Sequence, residues 1–415
     1  MRSNEFWKID LRRVFELLLC VFYAWYFLPI CNAFFDGGLF KVLFFGCFAV
    51  GCVGMLLLNH KFHLNGVILA IGAYLLVFSL LYLANVGDAS KHIRVSFTFW
   101  GTGLLYFGIL GDGSRLRLGK YLLVLFGITV ITSGLGVMLN NSAARTIAHA
   151  AADDALQKSF RLMNISSICL FQCLVCFVPV LVLLPKDSKK QKLISMILLL
   201  VILFVLLNAS FTISLIVFVV ALVFSIFLKG NTIKRMIATA IIGIIAIIFL
   251  ANGSEVLYFL SNIIGNEKIA VRLRELSVGL STGILSGDAG LRWELYMSSI
   301  ITFLKNPFGV GANYSYIIFD NGIGHHSQLL DDLARYGLIA IAFYAVFLIG
   351  YYRNLKQAWN KLGCPQVATV VTLIYILFLI LNLGFRSADE SIVMLFIMPV
   401  IPKLIEQYQN KNNLL

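Results

Sequence analysis

Charge is scarce in this sequence. Only 13% of its 415 residues are charged, against 60% hydrophobic ones. The apolar residues stand in long runs instead of alternating with polar ones. A soluble globular chain carries roughly a quarter charged residues, so that class is excluded. Also missing are an extended Pro/Gly/Ser linker, a low-complexity tract and a repeat of solenoid period, which leaves one domain, 1–415. No cleavable signal peptide is expected, because Met1–Arg13 is polar and basic and the run Val14–Phe35 is long enough to be a first span. Cysteine offers no disulfide framework. Seven of the eight (Cys20, Cys31, Cys47, Cys52, Cys169, Cys173, Cys176) lie in apolar runs. The Cys173-Leu-Val-Cys176 pair is followed by Phe-Val-Pro-Val inside a span, where small buried hydrophobes are expected instead of a zinc or redox site.

What the chain does have is spans. About 20 apolar residues cross the hydrocarbon core as a helix. Such runs fall at 14–35, 39–58, 64–84, 93–111, 120–140, 165–184, 193–208, 210–228, 236–251, 336–352, 367–383 and 390–405. The seventh and eighth are one stretch, too long for a single crossing, divided at Asn208-Ala-Ser-Phe-Thr212, where polar residues suit a turn. The expected fold is an all-α polytopic membrane protein of about 12 transmembrane helices, with one large outer (periplasmic) loop, 252–335, between helices 9 and 10.

Lys and Arg decide the orientation. With both termini inside, the inner segments hold 20 of the 33 Lys and Arg but 6 of the 20 Asp and Glu. The net charge of +13 then divides as +14 inside and −1 outside. The basic balance therefore reflects topology and attraction to anionic lipid, and gives no case for nucleic acid. Loop 252–335 lies on the outer face, away from ATP and nucleotide sugars, so chemistry there must use a substrate that arrives already activated, typically on a lipid.

Four features share that loop. Val271-Arg272-Leu-Arg274-Glu-Leu276 is a short amphipathic stretch. It reads either as an interfacial helix with snorkelling arginines or as a guanidinium pair for a diphosphate, whose oxygens match the planar fork. Ser286-Gly-Asp288-Ala-Gly290 brackets a turn, with a helix expected from about Leu291, capped by Asp288, and Arg292 in its first turn. Arg292 also has a plain structural reading, a pairing with Asp288 or Tyr296. Lys305-Asn-Pro307-Phe-Gly309-Val-Gly311 stops that helix; its G-x-G is not a dinucleotide fingerprint, because no strand precedes it and the third glycine is missing.

The fourth feature is Gly322-Ile-Gly-His325-His326-Ser-Gln-Leu-Leu-Asp331-Asp332-Leu-Ala-Arg335-Tyr-Gly337. Titratable groups are costly near a bilayer, so such a cluster points to a working site. A helix is expected from His326 into the tenth span, with His325 and Asp332 on one face and Asp331 and Arg335 as an i, i+4 surface ion pair. Adjacent histidines diverge by about 100° on a helix and no H-E-x-x-H is present, so no metal is expected; His is the better candidate for a general base.

In order and spacing, the Arg-initiated helix, Asn-Pro-Phe-Gly-Val-Gly and the His-His-Ser…Asp-Asp…Arg-Tyr-Gly segment running into a late span resemble the O-antigen polymerase and ligase superfamily. The resemblance covers about 286–340, and elsewhere only the architecture agrees. Its His-Ser form looks more like the Wzy-type O-antigen or capsular polysaccharide polymerase branch, since the ligase segment tends to read His-Asn. The resemblance implies a metal-independent, inverting glycosyltransferase of the bacterial inner membrane, without cofactor, acting on undecaprenyl-diphosphate-linked oligosaccharide. Membrane lipid and a chain-length regulator protein are candidate partners. It makes His326 the candidate base or acceptor-orienting residue, with His325 beside it, and Arg292 a diphosphate contact. Arg272 and Arg274 match as further phosphate contacts, and Asp332 and Arg335 are substrate-side candidates. Many relatives carry Ser-Arg where this chain has Ala209-Ser210-Phe211-Thr212. If a cation is needed there, Arg272, Arg274 or Arg386 must supply it.

Other classes stay in view. A ligase transferring glycan to lipid A core would use nearly the same residues. A lipid-linked oligosaccharide flippase would place charge inside its spans, which this chain scarcely does. A lipid-phosphate-dependent glycosyltransferase with an acidic base in its first outer loop would have only Asp36 to use, and a non-catalytic scaffold is the plainest alternative.

Overall fold

The computed structural model describes residues 10–59, 62–84, 98–141, 143–148, 153–186, 188–209, 212–229, 236–237, 240, 252–265, 267–284, 287–311, 322–324, 327–384 and 388–412. Among them all regular structure is helical. In chain order the helices are α1 Leu11–Phe27, α2 Pro29–Phe34, α3 Gly38–Asn59, α4 Gly66–Ala84, α5 98–109, α6 Asp112–Leu139, α7 Ala143–Ala148 and α8 Asp154–Leu162. Next come α9 Ile168–Val175, α10 Val178–Leu183, α11 Lys189–Asn208, α12 Thr212–Leu228, α13 252–263, α14 Glu267–Thr282 and α15 Gly287–Lys305. The last four are α16 Gln328–Trp359, α17 Val367–Gly384, α18 Ala388–Ile392 and α19 Met398–Asn412. A π turn, Val393–Ile397, joins α18 to α19, and another, Leu105–Ile109, closes α5.

Three helices, α3, α6 and α11, are each long and apolar enough to cross a membrane alone, and α16 is a sharply bent pair that passes the same test as one unit. Shorter apolar helices lie at Gly66–Leu76, Leu170–Leu183, Ile213–Leu228 and Val367–Leu381. Large apolar side chains stand exposed along these helices, among them Leu39, Val42 and Leu57 of α3 and Ile131 and Leu139 of α6. That is the pattern expected when the surrounding solvent is hydrocarbon.

Proline subdivides two expected spans. The run 14–35 is two helices, because Pro29 lacks the N–H that would continue α1, so Leu28 caps it with an extended backbone. The run 165–184 breaks between α9 and α10, just before Pro179. The long run 193–228 parts between Asn208 and Thr212. The expected ninth span, 236–251, lies almost wholly outside the described residues, as does the start of the fourth.

An aromatic core fixes α16. Tyr74 of α4 stacks on Trp100 of α5 at 4.2 Å, Trp100 meets Phe347 at 4.7 Å, and Phe347 meets Tyr351 at 4.7 Å. The Tyr351 hydroxyl donates to Ser391 Oγ, and the Trp359 indole N–H donates to the Met398 carbonyl, tying the far end of α16 to the last helices. At the near end Tyr336, buried, meets Tyr74 edge-on at 5.9 Å. The helix that carries the Asp-Asp…Arg-Tyr-Gly motif is therefore anchored in the bundle from both ends.

Candidate functional site

The site is built on α15 and the first turns of α16. Helix α15 runs from Gly287, earlier than the expected Leu291, so Asp288 lies in its first turn and Arg292 falls in the second turn. The start is set by Gly287, whose φ of +63° suits glycine, and by Glu275 of α14: a Cβ at Gly287 would stand 2.2 Å from Glu275 Oε1. A carboxylate held at a helix start is electrostatically favourable. Arg292 is half-buried and has no hydrogen-bond or ion-pair partner among the described residues. At helical spacing it shares a stripe with Leu295, Ser299 and Thr302.

That stripe holds the second motif. Ser298 Oγ and Thr302 Oγ1 both donate to the Gly322 carbonyl, at 2.6 and 2.9 Å. The Gly324 amide donates to Ser299 Oγ at 2.9 Å, and Ser299 Oγ donates to Asp331 Oδ1 at 2.7 Å. Gly324 presses on the backbone of α15, where a Cβ would meet the Leu295 carbonyl oxygen at 2.0 Å. Three residues later Ser327 caps α16, its Oγ accepting from the Leu330 amide at 3.4 Å and its carbonyl from the Asp331 amide at 2.8 Å. Helix α16 is therefore described from Gln328, with Ser327 as its N-cap. His325 and His326 themselves lie outside the described residues. Their neighbours on either side, Gly324 and Ser327, are both fixed to the α15–α16 frame.

The third motif closes the module. Gly337 breaks α16 with φ 68° and ψ −164°. Such a break frees carbonyls that would otherwise bond within the helix. Two of the carbonyls ahead of it are taken up: Val310 N–H donates to Ala334 O at 3.0 Å and Gly311 N–H to Arg335 O at 2.9 Å, while Leu338 N–H donates to Pro307 O at 2.9 Å. The approach is close enough to require glycine on both sides. A Cβ at Gly337 would meet the Phe308 carbonyl carbon at 2.4 Å, and one at Gly309, φ +92°, would meet Arg335 O at 2.4 Å. Asn-Pro-Phe-Gly-Val-Gly and Arg-Tyr-Gly are therefore two halves of one backbone seam.

The charged residues divide unevenly. Asp331, Asp332 and Arg335 are all buried, at 4%, 6% and 2% exposure. This corrects the expected surface pair of Asp331 with Arg335: Asp331 turns inward to Ser299, and burial needs such a donor to offset lost hydration. On α14, Arg272 and Arg274 are two residues apart and so project about 200° from each other. Arg274 reaches the end of α13, its Nε donating to Ser261 Oγ at 3.2 Å and a terminal nitrogen to Asn262 Oδ1 at 3.1 Å. Arg386 lies outside the described residues. Among the described residues no three His, Cys, Asp or Glu converge as a metal site. Arg292 is left as a guanidinium on the stripe that carries the Gly322–Gly324 segment, a place for an anionic group beside a fixed loop.

Residues 194–345 match the O-antigen ligase family. The match supports membership of the O-antigen polymerase and ligase superfamily. The match runs from α11 through the loop helices α13, α14 and α15 into α16, so it contains every element of the module just described. No curated protein matches the chain in sequence. The match supports a general enzyme role for this membrane protein, in polysaccharide biosynthesis. Glu275, Ser298, Ser299 and Thr302 did not stand out in the sequence. The available signal was a Ser-Ser-x-x-Thr stripe on an otherwise apolar helix face, which marks polar groups that need buried partners.

Proposed function

We propose that the chain is an O-antigen or capsular polysaccharide polymerase: it transfers the growing glycan from undecaprenyl diphosphate onto the next lipid-linked repeat unit. The acceptor sugar hydroxyl attacks the anomeric carbon of the donor glycan. The bond from that carbon to the diphosphate oxygen breaks, undecaprenyl diphosphate leaves with the electron pair, and the configuration inverts. The hydroxyl proton passes to His326, with His325 orienting the acceptor. Arg292 offsets charge on the leaving diphosphate, which is where fixed cations accelerate such a step most. Arg272 serves as a further phosphate contact. Asp332 and Arg335 shape the floor of the substrate site, and no metal or other cofactor takes part.

The observation that carries this reading is the Arg292 guanidinium, without a partner among the described residues, on the α15 stripe to which Ser299 fastens Gly324, next in sequence to the histidine pair. The charge distribution supports twelve spans, both termini in the cytoplasm, and the loop on the periplasmic face of the inner membrane, where donor and acceptor are both lipid-borne. A chain-length regulator protein is the proposed partner. The matched family is described as a ligase, which favours transfer to lipid A core as the second reading. A deletion strain separates the two. A core bearing a single repeat unit establishes a polymerase; a bare core with polymer left on undecaprenyl diphosphate establishes a ligase. Arg292→Ala and His326→Ala strains that still display long-chain glycan at normal protein levels would overturn the site.

A further inference from the structure

A polar pocket lies at the end of α16 away from the candidate site. From the break at Gly337 to Trp359 the helix rises by about 33 Å, the thickness of a hydrocarbon core. Around its last turns, the start of α6 and α19 enclose a cavity of about 80 Å³ lined by Arg115, Asn354, Lys361 and Lys403. Asp112 is the one acidic residue on its wall, and Leu116, Leu395, Phe396 and Val400 form an apolar side. Arg115 is held in place: its Nε donates to the Tyr106 carbonyl at 2.9 Å, its guanidinium lies 4.8 Å over the Tyr106 ring, and it pairs with Asp112 at 3.3 Å. Asp112 offsets only that cation, so Lys361 and Lys403 leave the pocket positive. Asn354 accepts from the Tyr106 hydroxyl at 3.0 Å through Oδ1, while its amide nitrogen is buried with no partner among the described residues.

Two lysines, a fixed arginine and an orphaned buried donor in one cavity call for an acceptor with several oxygens and negative charge. We propose that this pocket binds a phosphate group, and that the phosphate is the headgroup of an anionic phospholipid. The apolar side favours a lipid over free phosphate, since it offers the first carbons of an acyl chain a dry wall beside the charged groups. Basic pockets between helices at the cytoplasmic face recognise lipid headgroups in this way. The pocket is separate from the glycan-transfer module and does not depend on its assignment.

The test uses the full-length protein in neutral detergent, with retained lipid counted by native mass spectrometry. Phosphatidylglycerol, phosphatidylcholine and inorganic phosphate are titrated separately. Phosphatidylglycerol is expected to be retained selectively. A Lys361→Gln, Lys403→Gln double variant should weaken that retention at least about tenfold, and the double arginine variant should restore it. Saturation by inorganic phosphate at equal concentration would place the anion site correctly but assign it to free phosphate. Equal retention of both lipids, or a glutamine variant that holds phosphatidylglycerol as wild type does, would overturn the proposal. The arginine variant separates lost charge from lost folding.

Discussion

Ser299 and Asp331 meet in a 2.7 Å hydrogen bond in which the serine hydroxyl donates to the carboxylate, and the same Oγ accepts the amide of Gly324. One small side chain thus joins α15, the segment ahead of the histidines and the first turn of α16. Ser299→Ala removes both contacts and leaves a buried carboxylate short of a donor, a loss of about 1.5–3 kcal/mol. Thermal unfolding in detergent should show the drop, glycan ladders should shorten or vanish, and Ser299→Thr, which keeps the hydroxyl, should recover part of both. An alanine variant with wild-type unfolding and ladders would remove Ser299 from the frame.

Gly337→Ala and Gly309→Ala each put a methyl group into the backbone opposite, at a positive φ that alanine resists. Each should destabilise the module by about 1–3 kcal/mol. Because both undo one seam, the double variant should lose less than the sum. Limited proteolysis around 306–311 is the direct readout, and additive losses would mean that the two glycines act separately.

Arg292 and Arg274 should respond in opposite ways. Arg292 holds nothing in the described fold, so Arg292→Ala should abolish glycan transfer while changing stability by no more than about 0.5 kcal/mol. Arg292→Lys should recover only part of the activity, because lysine lacks the planar fork. Arg274→Ala gives up its contacts to Ser261 and Asn262 and should cost about 0.5–1.5 kcal/mol of stability. The reverse pattern would exchange their roles.

Single alanine variants distinguish the histidines. His326→Ala is expected to leave donor and acceptor lipids unjoined, and His325→Ala to slow transfer without abolishing it. In vitro assay with both lipid-linked substrates present at saturation reads this directly; an inactive His325→Ala beside an active His326→Ala would move the base by one residue.

Lys186 gives a pH signature outside the site. It donates to the carbonyls of Val182 and Leu184 at the end of α10. Burial, with Lys229 and Lys192 nearby, pushes its ammonium down to about 8. A depressed folded value means that the unfolded chain binds the proton more tightly, so stability should rise as pH climbs from about 8 toward 10.5. Lys186→Met should flatten that rise and stabilise the protein at neutral pH, by less than about 1 kcal/mol after solvent screening. A variant whose melting curve tracks wild type across this range would contradict it.

The membrane class was legible because apolar runs report it directly, and the chain breaks at Asn208–Thr212 where polar residues interrupt one such run. The motif pieces at Arg292, Asn306–Gly311 and His325–Gly337 were legible as pieces. Their docking was not. Helical period says which residues share a face, but not that a loop amide will seek the oxygen of Ser299, nor that a carbonyl freed at Gly337 will be met by Gly311. Asp331 and Arg335 misled for a related reason: an i, i+4 pair reads as a surface bridge until a neighbouring helix covers it. The early start of α15 was hidden because Glu275, the residue against that start, comes from a different helix.

The seam between 307–311 and 334–338 is written in main-chain atoms. Side chains there are free to drift as long as the path of the chain is kept. A saturation library should therefore find Val310 permissive and the two glycines nearly immutable. In such a protein the specificity for a particular sugar can change from one sequence to the next while the support beneath it stays the same.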